Sequence, residues 1–367
     1  MEARSTSIRT ASTFALAAVV ALLSACSVQQ VRTSESLAVM SSVAFSPDGK
    51  SVAAARNMGN VVFIYDANTR KRTNVLLGKD ENVDYFARAL AYSRDGAHLA
   101  TPGIDDSFIL WNATTGQESL RIPQLKGAQD VAFSPASDLL ATAGPGEDVI
   151  LWQVGEGQPR AVLKGHSAAV TSIAFSPDGK LLASGSADKM VILWSVEAQG
   201  QVGAVGPLVC HVRSVSFSPD AQMLATTCDD EFKLWKLDSG RASATLLEPV
   251  DVPPRREVMA YVLFALSVAA GQPVSVGARR SPWGPAIFSP DGKRLAVRRR
   301  NLGLSADYEI LVLDVASRET VARIPCQCFG MAFSPDSTRL ATAGHSASGG
   351  PVQLWDMNTG REIRPSH

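Results

Sequence analysis

The sequence carries no excess of charge of either sign. Its 367 residues include 35 lysines and arginines and 35 aspartates and glutamates, so the formal net charge at pH 7 is zero. A protein that binds nucleic acid over a wide face generally shows a basic excess that neutralises phosphates. We therefore expect no nucleic-acid partner.

Histidine is scarce, and the common catalytic motifs are missing from the sequence. The chain has 5 histidines, and it contains no G-x-S-x-G, H-E-x-x-H or P-loop pattern. The segment GHSASGG at Gly344 lacks the final glycine of the first pattern. His98 begins a predicted strand, His367 is the last residue, and His166 and His211 are interpreted below as structural. His345 is therefore the one remaining candidate for a catalytic histidine. Because catalysis needs a nucleophile, base or metal in mutual reach, we expect no enzyme, no cofactor and no metal.

Long apolar runs are also missing. The run from Phe14 to Leu23 and the segment EVMAYVLFALSVAAG at 257–271 are both shorter than the roughly 20 apolar residues that a bilayer core requires. The sequence therefore predicts no transmembrane helix.

The first residues are typical of an export signal. Arg4 and Arg9 precede the short apolar run, and small residues then lead to LSAC at 23–26. This ending resembles the lipobox of bacterial lipoproteins. The resemblance implies a signal peptide over 1–25, cleavage before Cys26, a diacylglyceryl group on its sulfur and an acylated new amino terminus. An ordinary cleaved signal with a chance cysteine is the alternative.

The residue after the lipobox cysteine indicates a location for the anchor. Several acyl chains, at about 0.8 kcal/mol per buried CH₂, hold a protein where one chain would not. In lipoproteins of Gram-negative bacteria an aspartate after the cysteine tends to retain the protein at the inner membrane, whereas this chain has Ser27. We therefore expect a lipid-anchored protein of the bacterial envelope, at the outer membrane and facing the periplasm.

One short stretch recurs along the remainder of the chain. AFSPDGK stands at 44–50 and again at 174–180, and related stretches give seven copies with successive gaps of 47, 41, 42, 42, 71 and 45 residues. The copies centre on Phe45, Tyr92, Phe133, Phe175, Phe217, Phe288 and Phe333. A period of about 40 to 45 residues is typical of propeller blades, in which each unit buries its apolar face against a neighbour.

Each copy divides into the same predicted strands. In the fourth copy TSIAF leads into the turn SPDG, LLAS returns, and VILW ends at Trp194 as a buried third strand. A weaker fourth strand follows in several units. The sequence therefore predicts an all-β fold, a seven-bladed β-propeller with four antiparallel strands in each blade.

These units resemble WD40 repeats over nearly all of the chain after about residue 30. We expect a propeller over 38–367, an insertion at about 246–284, and a tether over 26–37 that supplies or completes the outer strand of the last blade. In the family, a histidine, a serine or threonine, an aspartate and the third-strand tryptophan form a hydrogen-bonded tetrad. The matching residues are His166, Ser184, Asp188 and Trp194 in repeat four, and His211, Thr226, Asp229 and Trp235 in repeat five.

The cysteines after Cys26 form two pairs. Cys210 and Cys228 stand beside two tetrad residues of repeat five, which the resemblance brings together, and an exported compartment is oxidising. We expect a disulfide between them. Cys326 and Cys328 could instead bind zinc or copper with His345, but a fourth ligand is not evident and we expect no metal there.

The extra length of repeat six coincides with a local excess of arginine. Five of these residues form a candidate partner face: Arg279, Arg280, Arg298, Arg299 and Arg300. The insertion itself is interpreted as a helix or hairpin folded onto the ring, with a docking element as the alternative.

The resemblance implies a binding scaffold rather than an enzyme. We expect a monomeric, non-enzymatic protein that binds envelope proteins or peptides and is held at the membrane by its lipid anchor. One alternative is a receptor for anionic envelope glycan or lipid that uses the basic patch. A propeller enzyme with a site in the central channel is the less favoured alternative.

Overall fold

A computed structural model gives the fold. It describes residues 39–56, 61–77, 89–102, 107–123, 129–144, 146–228, 231–237, 244–246, 283–300, 308–344 and 351–364. Several predictions concern residues outside these ranges: the signal peptide, Cys26, Asp229, Arg279, Arg280, His345 and most of the insertion. The side chain of Arg300 is also outside the description.

The described residues form seven antiparallel sheets, each a meander of consecutive strands. Blades one to four comprise β1–β4 (Met40–Phe45, Ser51–Arg56, Val61–Asp66, Arg72–Leu77), β5–β8 (Ala91–Tyr92, His98–Pro102, Ser107–Asn112, Glu118–Pro123), β9–β12 (Asp130–Phe133, Leu139–Ala143, Val149–Gln153, Pro159–Leu163) and β13–β16 (Val170–Phe175, Leu181–Ser186, Val191–Ser195, Gly200–Val205). Blades five to seven comprise β17–β20 (Val212–Phe217, Met223–Cys228, Phe232–Leu237, Ala244–Leu246), β21–β24 (Trp283–Phe288, Arg294–Arg300, Tyr308–Asp314, Thr320–Cys326) and β25–β27 (Cys328–Phe333, Arg339–Gly344, Val352–Asp356). The predicted seven-bladed propeller is confirmed.

The recurring Ser-Pro-Asp-Gly stretch forms the turn between the first and second strands. In blade four the Ser176 hydroxyl donates to Asp178 Oδ1 at 2.6 Å and accepts the Leu181 N–H at 2.9 Å. Gly179 has a φ of +73°, and a Cβ there would lie 3.5 Å from Pro135 of the preceding blade. The stretch therefore both closes a hairpin and fits it against the neighbouring blade.

The ring closes by direct contact between the first and last blades. The inner strand β25 lies against β1, and the two blades share an apolar core that includes Met40, Phe45 and Leu354. Each apolar core of the described propeller likewise lies between two neighbouring blades, because a single sheet cannot bury its own faces.

The outer edge of blade seven contains a short C-terminal segment. The Ile363 N–H donates to the Leu354 carbonyl at 2.8 Å, and Glu362 forms a β-bridge with Trp355. The described part of this outer edge thus comes from C-terminal residues, because the chain turns back after Asp356 and pairs with its own blade. The tether over 26–37, which is predicted to supply or complete the outer strand, lies outside the described residues.

Two arginines reinforce the junction between blades one and seven. Arg339 donates to the Ala67 carbonyl at 3.0 Å and to the Gly49 carbonyl at 3.3 Å. In the opposite direction Arg70 donates to the Ile363 carbonyl and lies 3.6 Å from the Glu362 carboxylate. The closing junction is thus polar at its rim and apolar inside.

Candidate functional site

A continuous hydrogen-bonded network runs through blade four. Trp194 Nε1 donates to Ser184 Oγ at 2.8 Å, and the same oxygen lies 2.8 Å from His166 Nε2. His166 Nδ1 lies 2.8 Å from Asp188 Oδ2, which also accepts the Ser167 N–H at 3.0 Å. His166 is 6% exposed and Trp194 is 1% exposed. The network has no opening to a substrate, so its role is to hold the blade together.

The charge of Asp188 is favoured in the folded protein. Burial alone would raise the pKa of Asp188, but the backbone N–H groups of Ser167 and Met190 and the His166 ring donate to it and together hold the pKa below its usual value. The carboxylate is therefore ionised at neutral pH, which makes it a strong acceptor for the network.

Blade five keeps only part of the predicted network. Trp235 Nε1 donates to Thr226 Oγ1 at 2.8 Å, but the His211 side chain is exposed. His166 stands four residues before Val170, the first paired residue of its blade, whereas His211 stands one residue before the equivalent Val212. The position that corresponds to His166 is occupied by Leu208, which is 5% exposed. His211 therefore does not take the buried place that the sequence assigned to it.

The tryptophan half of the network recurs in blades that the sequence analysis did not assign. The pairs are Trp111–Thr101, Trp152–Thr142 and Trp355–Thr342, at 2.8, 2.8 and 3.1 Å. In blades two, three and four the hydroxyl residue stands 10 positions before the tryptophan. This regular spacing is a signal that would have identified the pairs from sequence.

The four described cysteines form two disulfides. Cys210 is bonded to Cys228, as the sequence predicts, and Cys326 is bonded to Cys328. The second bond removes both sulfurs from the alternative zinc or copper site. Among the residues that the structure describes, no group of three or more histidine, cysteine, aspartate or glutamate side chains could hold a metal ion.

The two arginines of the candidate partner face whose side chains are described both hydrogen-bond within the protein. Successive residues of β22 point in opposite directions: Arg298 Nη1 donates to the Cys328 carbonyl of blade seven at 2.8 Å, while Arg299 Nη2 donates to Glu309 Oε1 at 2.6 Å. Arg299 and Glu309 are each 8% exposed. Arg299 is therefore buried in an ion pair, and Arg298, which is partly exposed, is engaged by the Cys328 carbonyl.

A groove of about 960 Å³ crosses blades three, four and five on the face that carries the Ser-Pro-Asp-Gly turns. Its apolar lining includes Leu139, Leu193 and Val196, and the half-exposed Val202 of β16 lies at its side. We call this region the hairpin groove. The sequence analysis did not identify it, because three turns from separate repeats build it together.

The exposed charges around the hairpin groove are mainly acidic. The acidic residues are Asp138, Asp178, Glu197 and Asp220, and the basic ones are Arg160 and Lys180. Lys180 Nζ lies 3.9 Å from Asp178 Oδ2 and so offsets one of the carboxylates. Burial opposes ionisation of Asp220, but the Ser218 hydroxyl and the Gln222 N–H hold its pKa below the usual value. At neutral pH the groove therefore presents an excess of negative charge beside an apolar floor.

The comparisons with known proteins agree with the blade geometry. The family model described as WD domain, G-beta repeat matches residues 157–195 and 204–236. These segments contain most of blade four and the first three strands of blade five. The matches support the WD40-repeat family.

Three curated relatives resemble parts of this chain. The rat (Rattus norvegicus) Telomerase protein component 1 is 32% identical over 122 residues, which is 33% of this chain and 4% of that protein. Protein HIR1 of Yarrowia lipolytica is 25% identical over 145 residues, covering 35% of this chain and 14% of that protein. The WD repeat-containing protein SL1-17 of Schistosoma mansoni is 29% identical over 117 residues, covering 32% and 37%. The alignments thus span from about a twenty-fifth to about a third of each relative.

No helix in the described ranges is both long enough and apolar enough to cross a membrane. Every named element in those ranges is a β-strand.

Proposed function

We propose that this chain is a non-enzymatic, protein-binding scaffold, a WD40 propeller held at the bacterial envelope by lipid on Cys26. WD40 propellers generally mediate protein–protein interactions, and the matched segments contribute part of the lining of the hairpin groove. The LSAC stretch at 23–26 supports the anchor, and Ser27 favours the outer membrane.

The observation that carries the proposal is the hairpin groove. It combines an apolar floor with more exposed carboxylates than cations, and it spans three blades of a rigid ring. The complementary occupant is an extended segment of a partner protein in which basic and apolar residues alternate. Such a segment would place its apolar side chains on Val196 and Val202 and its cations beside Glu197 and Asp220.

The alternative is a receptor for anionic envelope glycan or lipid that uses the basic patch. Two arginines of that patch, Arg298 and Arg299, hydrogen-bond to the Cys328 carbonyl and to Glu309. Arg279, Arg280 and the side chain of Arg300 lie outside the described residues. The acidic hairpin groove would repel an anionic ligand.

Binding of a defined peptide tests the groove. The probe is a fluorescent ten-residue peptide of alternating lysine and leucine, titrated into the protein with Cys26 replaced so that it remains soluble. We expect Glu197→Lys to weaken binding about tenfold, which is the effect of losing roughly 1.4 kcal/mol. Glu156→Lys is the matched control, because Glu156 is also exposed, lies in the equivalent turn of blade three and is outside the groove lining. Equal weakening by both variants would show only a general loss of charge attraction and would reject the groove.

The anchor is tested separately in cells. A bacterial host is grown with an alkyne-labelled fatty acid, and the full chain is compared with its Cys26→Ser variant. Label on the full chain and none on the variant is expected. Label on neither chain would overturn the lipid anchor without affecting the peptide result.

A further inference from the structure

Arg339 links blade seven to blade one on the face that carries the Ser-Pro-Asp-Gly turns. It is the first residue of β26, and its N–H donates to the Ser334 hydroxyl at 2.9 Å. Its guanidinium donates to the Gly49 carbonyl at 3.3 Å and to Asn68 Oδ1 at 3.1 Å. Gly49 lies in the hairpin turn of blade one, and Asn68 lies in the turn between its third and fourth strands. Arginine at this position therefore joins two turns of the following blade.

Arg294 makes the same two contacts at the junction of blades six and seven. It is the first residue of β22, and its guanidinium donates to the Ser337 carbonyl at 3.4 Å and to Asn358 Oδ1 at 3.3 Å. Ser337, like Gly49, is the third residue after the serine of its hairpin turn. Asn358, like Asn68, is the second residue after the third strand of its blade. The same pair of acceptors thus receives a guanidinium at two junctions of the ring.

Blade three has a leucine where these arginines stand. Leu139 is the first residue of β10, and its N–H donates to the Ser134 hydroxyl at 3.0 Å. It pairs with Gln153, the last residue of β11. Arg339 likewise pairs with Asp356, the last residue of β27. Blade three therefore extends no arginine from this position toward blade four.

Blade four provides both acceptors, and neither receives a hydrogen bond from a described residue. Gly179 is the third residue after the serine of the hairpin turn, and Glu197 is the second residue after β15. Both line the hairpin groove together with Leu139. Glu197 is exposed, and so is Arg160 of the groove lining, but neither forms an ion pair within the part of the chain that the structure describes. A carboxylate thus stands where the other two junctions have an amide oxygen.

We propose that this part of the hairpin groove binds an arginine side chain of the partner protein. The guanidinium would donate to the Gly179 carbonyl and to the Glu197 carboxylate, as Arg339 does to the corresponding oxygens of blade one. Hydrogen bonds from a guanidinium to a carboxylate are stronger than those to an amide oxygen, and the planar group can donate in two directions at once. A lysine ammonium lacks this planar fork. The groove would thus select arginine rather than any cation, a preference that rests on the function proposed above.

Two peptides measure this preference. One is the fluorescent ten-residue peptide of alternating lysine and leucine, and the other has arginine at every lysine position. We expect the arginine peptide to bind the wild-type protein about tenfold more tightly than the lysine peptide. Glu197→Gln should reduce this ratio to near one. Glu156→Gln should preserve it, because Glu156 is an exposed residue of the equivalent turn of blade three and lies outside the groove lining.

The outcomes distinguish the arginine site from the groove itself. Equal affinity of the two peptides for the wild type would overturn the arginine site and leave the groove in place. An equal fall of the ratio in Glu197→Gln and Glu156→Gln would also overturn it, because the preference would then not depend on the position of the carboxylate. Absence of binding by both peptides would reject the groove, and with it the arginine site.

Leu139→Arg tests the acceptors without any peptide. The variant gives blade three the residue type that blades six and seven have at this position, so the new guanidinium should contact Glu197. We expect Glu197→Gln to lower the urea midpoint in the Leu139→Arg background and to leave it unchanged in the wild type, where Glu197 is exposed. Leu139→Arg should also abolish the preference for the arginine peptide. The same change of midpoint in both backgrounds would contradict the proposal, and if Leu139→Arg fails to fold, the peptide ratios decide.

Discussion

Blades four and six have the same strand pairing and different interiors. In blade four, Ser184 and Trp194 belong to a hydrogen-bonded network. Leu182 pairs with Trp194 in blade four, and Leu295 pairs with Leu313 in blade six, so the two blades can be aligned on these pairs. In this alignment Val297 replaces Ser184 and Leu313 replaces Trp194. Blade six nevertheless forms four strands in the same order. The network is therefore one way to stabilise a blade and not a requirement for the backbone.

The same alignment shows that blades four and six contact the following blade in different ways. Gly185 of blade four lies so close to Val212 that a Cβ would come within 2.4 Å of its methyl carbon. Blade six has Arg298 at this position, and its side chain reaches the carbonyl of Cys328, which is the equivalent of Val212 in blade seven. Blades four and five thus approach closely because position 185 is a glycine. Blades six and seven are instead bridged by the Arg298 guanidinium.

Replacing the buried glutamate Glu309 of blade six should cause the largest loss of stability. Glu309→Leu leaves Arg299 buried without its carboxylate, which lies 2.6 Å away in the wild type. We expect a loss of about 3–5 kcal/mol in the free energy of unfolding, measured by urea denaturation. The double variant Arg299→Met, Glu309→Leu should lie close to the wild type, because it removes both charges. A double variant as unstable as the single one would contradict this account.

The junction of blades three and four contains a carboxyl group that favours its protonated form. Asp130 Oδ2 accepts the Ile173 N–H of blade four at 2.8 Å. Burial raises the pKa of Asp130 to about 6, although N–H groups of Ile173 and Val131 and the Ser172 hydroxyl favour the charge. Between pH 3.8, the usual pKa of an aspartate, and about 6, the folded chain therefore binds more protons at this site than the unfolded chain.

Lowering the pH should therefore stabilise the junction of blades three and four. The contribution of Asp130 to the free energy of unfolding rises as the pH falls through 6 and is complete below 3.8, with a total of roughly 3 kcal/mol at 1.36 kcal/mol per unit of pKa. Asp130→Asn should lack this dependence. The measurement is the difference in urea midpoint between wild type and variant at pH 7, 6, 5 and 4, and a difference that does not change with pH would reject the assignment.

Removal of the histidine from blade four should give the smallest of the three effects. His166→Leu deprives Ser184 and Asp188 of one partner each, but both keep others, so we expect a loss of about 1–3 kcal/mol. His211→Leu is the matched control and should change the free energy of unfolding by no more than about 0.5 kcal/mol, because that side chain is exposed. A similar loss in both variants, in parallel thermal melts, would restore His211 to a structural role.

The parts that the sequence predicted are those encoded within one short segment. The hairpins follow from turn chemistry, because the Ser176 hydroxyl and the Gly179 conformation act on residues no more than five positions away. The partners in blade four also lie in one continuous stretch from His166 to Trp194. For the same reason the seven-fold repetition was sufficient to predict the number of blades.

The parts that it did not predict depend on how separate segments meet. His211 was misplaced because the length of the connection before β17 decides which residue enters the core, and that connection differs from the one before β13. Arg298 and Arg299 were predicted to form part of a partner face because the residues that they contact, Cys328 and Glu309, lie in other strands. The hairpin groove was missed because three repeats contribute to it and none contains it alone.

The junction between blades one and seven determines when the ring can be completed during folding. Arg339 contacts carbonyls that precede it by 272 and 290 positions, and Arg70 contacts one that follows it by 293. Such contacts carry the greatest loop-closure cost in the molecule, so they form after the blades have formed locally. A chain that folds from its N-terminal end would consequently remain an open arc of finished blades, with two apolar faces unprotected, until residues near Ile363 pack against blade one. This interval is when the protein is most exposed to aggregation and to capture by chaperones.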